Sequence, residues 1–180
     1  MVNALFRLFL TFNSSCLILV VYLIKSGITI PFILPYIFSI PNYVSYIVYI
    51  LVMLVLTYIS LKLSKYLDSD NIEEGAITNV EYANDAFLPS YLGYFFVALD
   101  VPNNETLFFV YSIIFFFTFF SQTLYFNPIF LLFKYHFYNL TTQNNIRIFL
   151  ITKKVFKSPK NVSFPSLKRI NNFTFIDSEK

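Results

Sequence analysis

"ANDAFLPSYLGYFFVALDVPNNE", residues 83–105, decides how this chain is built. Asp85 and Asp100 flank an aromatic, apolar run that also holds Pro89, Ser90 and Gly93. From Ala86 to Leu99 there are 14 mainly apolar residues. As a helix they rise roughly 21 Å, while a bilayer's hydrocarbon core is about 30 Å thick. Length alone favours a re-entrant or interfacial segment over a crossing helix.

The chain around this run belongs to the membrane class. Of its 180 residues 57% are hydrophobic and 13% charged, where a soluble domain carries about a quarter charged residues. Three longer apolar runs, at about 8–24, 43–61 and 106–126, read as spans. Asn13, Ser14 and Ser15 interrupt the first, and a helix absorbs such residues by bonding its own backbone or a neighbour. Lys25 follows where a signal peptide would show small cleavage-site residues, so the first span is expected to be retained. Tyr43, Tyr46 and Tyr49 crowd the start of the second, and Lys62 and Lys65 close it, as expected at headgroup level. Between these two runs, Pro31, Pro35 and Pro41 break an apolar connection that is expected at the interface or against the bundle.

Charge argues that the short run also crosses. With four spans and the N-terminus in the cytoplasm, 12 of the 13 basic residues fall inside and Lys25 alone falls outside. The other outer loop holds Asp100 and Glu105. This is the positive-inside pattern, and a run that dipped in and returned would reverse it. A short, tilted third span at about 86–100 is therefore expected, with Ala86, Ser90 and Gly93 on one face as the site of close helix packing. The alternative for this region is a pore or ligand site lined by Asn84, Asp85, Ser90 and Tyr91.

The polar segments carry the interaction chemistry. Residues 66–85 form an acidic cytoplasmic loop, and "GAITNVEYA" within it reads as a short strand. Residues 135–152, two β-prone runs about "TQNN", read as a hairpin. A basic tail follows from Lys153. The chain thus divides into a transmembrane region, 1–134, and a cytoplasmic hairpin and tail, 135–180. It is expected to be an α-helical integral membrane protein with four transmembrane helices and a small cytoplasmic cap containing the β-hairpin. Asp68, Asp70, Glu73 and Glu74 on the loop, and Lys153, Lys154 and Lys157 on the tail, are candidate contacts for a partner or for lipid. The tail's charges suit anionic headgroups, the acidic loop itself or a cytoplasmic protein.

No catalytic set stands out. One histidine, His136, and one cysteine, Cys16, cannot make an ordinary His/Cys metal site. Phosphate-binding and nucleophile-elbow motifs are missing, and the acidic spacing does not match an EF-hand. No enzyme activity, cofactor or metal is expected. No charged residue lies deep in the spans, which argues against an ion pump.

"NDAFLPSYLGYFFVAL", "FNPIFLLFKYHFY" and "FLITKK", in that order behind two spans, resemble the KwaA family, the membrane component of the bacterial Kiwa anti-phage system. The resemblance covers roughly residues 43–155. It implies a homo-oligomeric, four-helix inner-membrane protein, with both termini cytoplasmic. It further implies action with a cytoplasmic, DNA-binding partner, KwaB, in sensing infection at the envelope and restraining phage DNA functions. No direct nucleic-acid contact is expected of the membrane component. The family pattern has a glycine where this chain has Lys134. Two other classes fit the composition: a structural subunit of an organellar respiratory complex and a channel-forming oligomer.

Overall fold

The computed structural model describes residues 2–30, 41–86, 88–121, 127–159 and 162–178. They form five α-helices and one six-stranded mixed sheet. The proline-broken connection at 31–40 and the end of the last apolar run at 122–126 lie outside the described residues.

α1 (Val2–Lys25) is an unbroken apolar helix without Gly or Pro. It ends because Gly27 takes φ +64°. Ile28 N–H then bonds Leu23 O and Gly27 N–H bonds Ile24 O, a closure that satisfies the last carbonyls. α2 (Asn42–Leu63) follows and tightens into a 3₁₀ turn, Ser64–Tyr66. α3 (Leu88–Asp100) carries Pro89 in its first turn, where its missing N–H has no helical partner to lose. α4 (Asn104–Ser121) is capped by Asn103, whose Oδ1 accepts Thr106 N–H at 2.9 Å. α5 (Ile129–Leu132) is one turn after Pro128. Lys134, at φ +63°, closes it: Tyr135 N–H bonds Phe130 O and Lys134 N–H bonds Leu131 O. The position is one that usually takes glycine.

The strands are β1 (Ser69–Ile72), β2 (Ile77–Tyr82), β3 (His136–Thr142), β4 (Arg147–Thr152), β5 (Phe164–Arg169) and β6 (Thr174–Ile176). Their order in the sheet is β1-β5-β6-β4-β3-β2, with β4 and β6 parallel and the other pairs antiparallel. β3 and β4 form the expected hairpin, from His136↔Thr152 to Thr141↔Arg147. Asn145, at φ +58°, supplies the left-handed residue of its turn. β2 pairs with β3.

The sheet is curled. β1 and β2 are its two edges, yet only residues 73–76 separate them in the chain. Five residue steps reach at most roughly 18 Å, while five strand spacings in a flat sheet come to roughly 24 Å. The edges must bend toward each other. In keeping with this, Ile72 from one edge and Ile77 and Val80 from the other pack into one cluster with Tyr138, Leu140, Leu150, Phe164, Leu167 and Phe175. Alternate residues of the strands face the opposite way. Phe137, Phe149, Ile151 and Ile176 pack against Phe6 and Leu10 of α1, Leu61 of α2 and Phe130 of α5.

α1 is the central helix, packed against α2, α3 and α4. Its first turn meets the sheet, where Asn3 Nδ2 donates to Asp68 Oδ2 at 2.8 Å. Its last turn meets the link between α3 and α4, with Lys25 Nζ bonded to Val101 O at 2.7 Å and Tyr22 OH to Asn104 Oδ1 at 2.8 Å. The sheet therefore sits at one end of the helices and Lys25 at the other.

This architecture corrects the expected fold class. Among the described residues, three helices, α1, α2 and α4, are long and apolar enough to cross a membrane, in place of the four spans expected. α3 has 13 residues, roughly 20 Å of helix. Its neighbour α1 gives its first turns, with Phe6 and Leu10, to the sheet core. The protein is also not a helical membrane protein with a minor cap. The acidic loop supplies both edge strands, and the expected basic tail supplies β5 and β6.

Candidate functional site

Where the helices meet the sheet, polar side chains from four segments converge inside the bundle. Asn13 of α1, Thr57 of α2, Tyr91 of α3 and Asn127, just before α5, are all buried. Thr57 Oγ1 lies at the centre. Asn13 Nδ2 donates to it at 3.2 Å and Asn127 Nδ2 at 3.0 Å, and it lies 2.9 Å from Met53 O. Tyr91 OH donates to Ser14 O at 3.2 Å and stands 3.5 Å from Asn127 Oδ1. Asn127 Oδ1 also accepts Ile129 N–H at 3.0 Å, which fixes the start of α5. Two residues beyond Asn13 on α1, Ser15 Oγ donates to Tyr111 OH of α4 at 3.2 Å.

Among the described residues, every buried side-chain nitrogen and oxygen has a hydrogen-bond partner. In an apolar setting an unmet polar group is expensive, so this network specifies how the helices are placed against one another. Its members are neutral amides and hydroxyls. They clamp and orient helices, and a shift of α5 or α3 would change the partners of Asn127.

The sequence-predicted residues fall elsewhere. Ala86, just before α3, and Ser90 and Gly93 within it are exposed. Nothing lies within 4 Å of a Cβ placed on Gly93. Tyr91 and Ala98 make the buried face of α3. Of the four residues of the alternative site, Tyr91 alone joins the junction. Asn84 sits at the sheet edge, where its Oδ1 accepts Phe137 N–H at 2.7 Å and its Nδ2 approaches His136 Nδ1 at 3.1 Å. Asp85 and Ser90 are exposed.

Asp68 is held by Asn3. Asp70 pairs with Arg169 across the β1–β5 ladder. The hydrogen bond from the guanidinium holds the Asp70 carboxyl below its ordinary range. Glu73 and Glu74 stand exposed in the turn between the sheet edges. Lys153 and Lys154 lie over aromatic rings, Tyr135 at 5.0 Å and Phe164 at 4.5 Å, and Lys157 is exposed. Among the described residues, no group of three His, Cys, Asp or Glu is placed to hold a metal ion.

Thr57 and Asn127 are the junction residues that sequence reasoning missed. Each is a lone polar residue beside an apolar run, and such a residue signals an interhelical bond only once its partner helix is known.

The fold is a helical bundle with apolar sides and a polar interior, closed at one end by a curled sheet, and among the described residues three of its helices are long and apolar enough to cross a membrane. The family model for the anti-phage protein KwaA matches residues 6–176, and the chain belongs to that family. No curated protein and no solved structure matches it. The protein is thus an anti-phage defence protein.

Proposed function

We propose that this protein is a multi-pass component of the bacterial inner membrane, with both termini and the sheet in the cytoplasm: α1, α2 and α4 are the long crossings, and the 13-residue α3 carries the chain from the sheet back to the Lys25 end. It senses infection at the envelope and holds or releases a cytoplasmic, DNA-binding partner. It acts by contact and performs no chemistry of its own. The observation that carries the reading is the placement of charge on the family's fold. Among the described residues, Lys25 is the basic residue at the far end of the helices, beside Asp100 and Glu105, while Lys62, Lys65, Lys134, Arg147 and the residues of the tail lie toward the sheet. That distribution favours a cytoplasmic sheet. The junction supports contact over catalysis, because it offers amides and hydroxyls without a nucleophile beside a base.

The partner meets the water-facing end of the sheet through Lys154, Lys157 and the exposed turn with Glu73 and Glu74. Reporter fusions test the orientation: alkaline phosphatase is inactive after Lys154 and active at Asn103. Recovery of the neighbouring gene product tests the contact. Lys154→Gln/Lys157→Gln weakens it, and so does added salt. Equal recovery from wild type and double variant at low and high salt removes these lysines from the interface.

Assembly is homo-oligomeric, with the exposed edge of Ala86, Ser90 and Gly93 facing a second copy. Because the space around Gly93 is open, Gly93→Leu leaves the monomer intact. Loss of assembly on a sizing column, with unchanged melting of the monomer, is the expected result.

A further inference from the structure

We propose that a cleft between the end of α2 and the sheet binds the phosphate headgroup of an anionic phospholipid. The cleft has a volume of about 240 Å³, and Tyr58, Lys62, Lys65, Phe133, Tyr135 and Lys153 line it. The three ammonium groups come from the last turn of α2, the 3₁₀ turn and the exit of β4. Two are steadied on aromatic faces: Lys62 Nζ stands 4.7 Å from the ring centroid of Tyr58, and Lys153 Nζ 5.0 Å from that of Tyr135. Tyr58 in turn packs on Phe133 at 6.0 Å. The neighbouring carboxylate, Asp177, is buried and accepts a hydrogen bond from Thr152 Oγ1 at 2.8 Å, so it lies behind the cleft.

Position selects the ligand. Val52, Val55 and Ile59 form an exposed apolar surface on α2 that ends at these lysines. Long basic side chains at such a boundary reach toward headgroups, and tyrosine rings favour the same depth. A phosphodiester in the cleft meets three cations, and its acyl chains lie along the surface of α2. An acidic protein would satisfy the lysines and leave that apolar surface uncovered. The inference rests on the membrane reading above.

The test uses the full chain in nanodiscs holding phosphatidylglycerol and phosphatidylcholine in equal amounts. After detergent extraction, bound lipid is counted by native mass spectrometry. Wild type retains phosphatidylglycerol in preference to phosphatidylcholine. Lys62→Gln/Lys65→Gln/Lys153→Gln lowers that retention about tenfold or more, and Lys153→Gln alone about fivefold. Lys154→Gln/Lys157→Gln, which removes charge outside the cleft, retains lipid as wild type does. Equal retention of the two lipids overturns the proposal, as does undiminished retention by the single and triple variants or an equal loss in the double variant. Inorganic phosphate that displaces the lipid at millimolar concentration would make this a free-phosphate site and also overturn it. Failure of the wild-type chain to enter nanodiscs at all would instead remove the membrane reading.

Discussion

In the curled sheet, Phe137, Leu140, Leu150 and Ile151 have no exposed surface, and the large side chains sit between strands and helices. In α4 no residue is buried, and Phe117 is 73% exposed. The polar groups are placed the opposite way. Asn13, Ser15, Thr57 and Ser60 are fully buried within the helices, while Glu73, Glu74, Lys153 and Lys157 stand exposed around the sheet. One region buries its apolar atoms and the other its polar atoms, the contrast that the proposed membrane placement requires. A single sequence builds both because α1 belongs to both: Phe6 and Leu10 enter the sheet core, and Asn13 to Lys25 enter the bundle.

Four substitutions sharpen this contrast. The largest effect is expected at Phe137, which stacks between Phe130 and Phe149 at 6.1 and 5.8 Å. Phe137→Ala should cost about 3–5 kcal/mol in denaturant unfolding of the detergent-solubilised chain. Phe117→Ala, an equal loss of side chain, should leave the midpoint almost unchanged. Next comes Thr57→Val, which keeps the shape and strands both Asn13 and Asn127. It should cost about 1–2 kcal/mol. Ser112→Ala on exposed α4, which removes only a bond to Phe108 O within the same helix, should cost much less.

A gain of about 1 kcal/mol is expected from Lys134→Gly, since the left-handed conformation penalises a side chain there. Smallest is Asp70→Asn, which breaks an exposed ion pair and should cost under about 1 kcal/mol at neutral pH. The sign follows from the lowered Asp70 titration. The pair's stabilisation is present above the unfolded carboxyl range near pH ~3.9 and is lost as pH falls through the lower folded value. Wild type and variant should converge in acid melts.

The hairpin was legible because two runs rich in β-branched and aromatic residues, β3 and β4, stand on either side of a polar turn. β5 was not, because Pro165 stands inside it, and a proline in a run argues against a paired central strand. The strand tolerates it near its first residue, beside the register shift between β1 and β5. The face of α3 that packs within the chain was not legible for a related reason. Small residues mark where helices can approach closely, but within this chain the large Tyr91 and the small Ala98 make the contact. Asn13 and its neighbours were visible as interruptions, yet Thr57 lies 44 residues from Asn13, and Asn127 lies 70 residues beyond Thr57. Only the fold shows which lone polar residues meet.

The most direct test of the two-solvent account places one charge at two equally exposed isoleucines. Ile113 lies midway along α4 and is 55% exposed; Ile146 lies at the hairpin turn and is 46% exposed. The measurement is the fraction of each variant recovered in carbonate-washed membranes. Ile113→Lys should lower integration sharply, since a lysine at the centre of a span costs about 2.5–3.5 kcal/mol, while Ile146→Lys should match wild type. Equal membrane recovery of the two variants would contradict the claim that the exposed surface of α4 faces lipid.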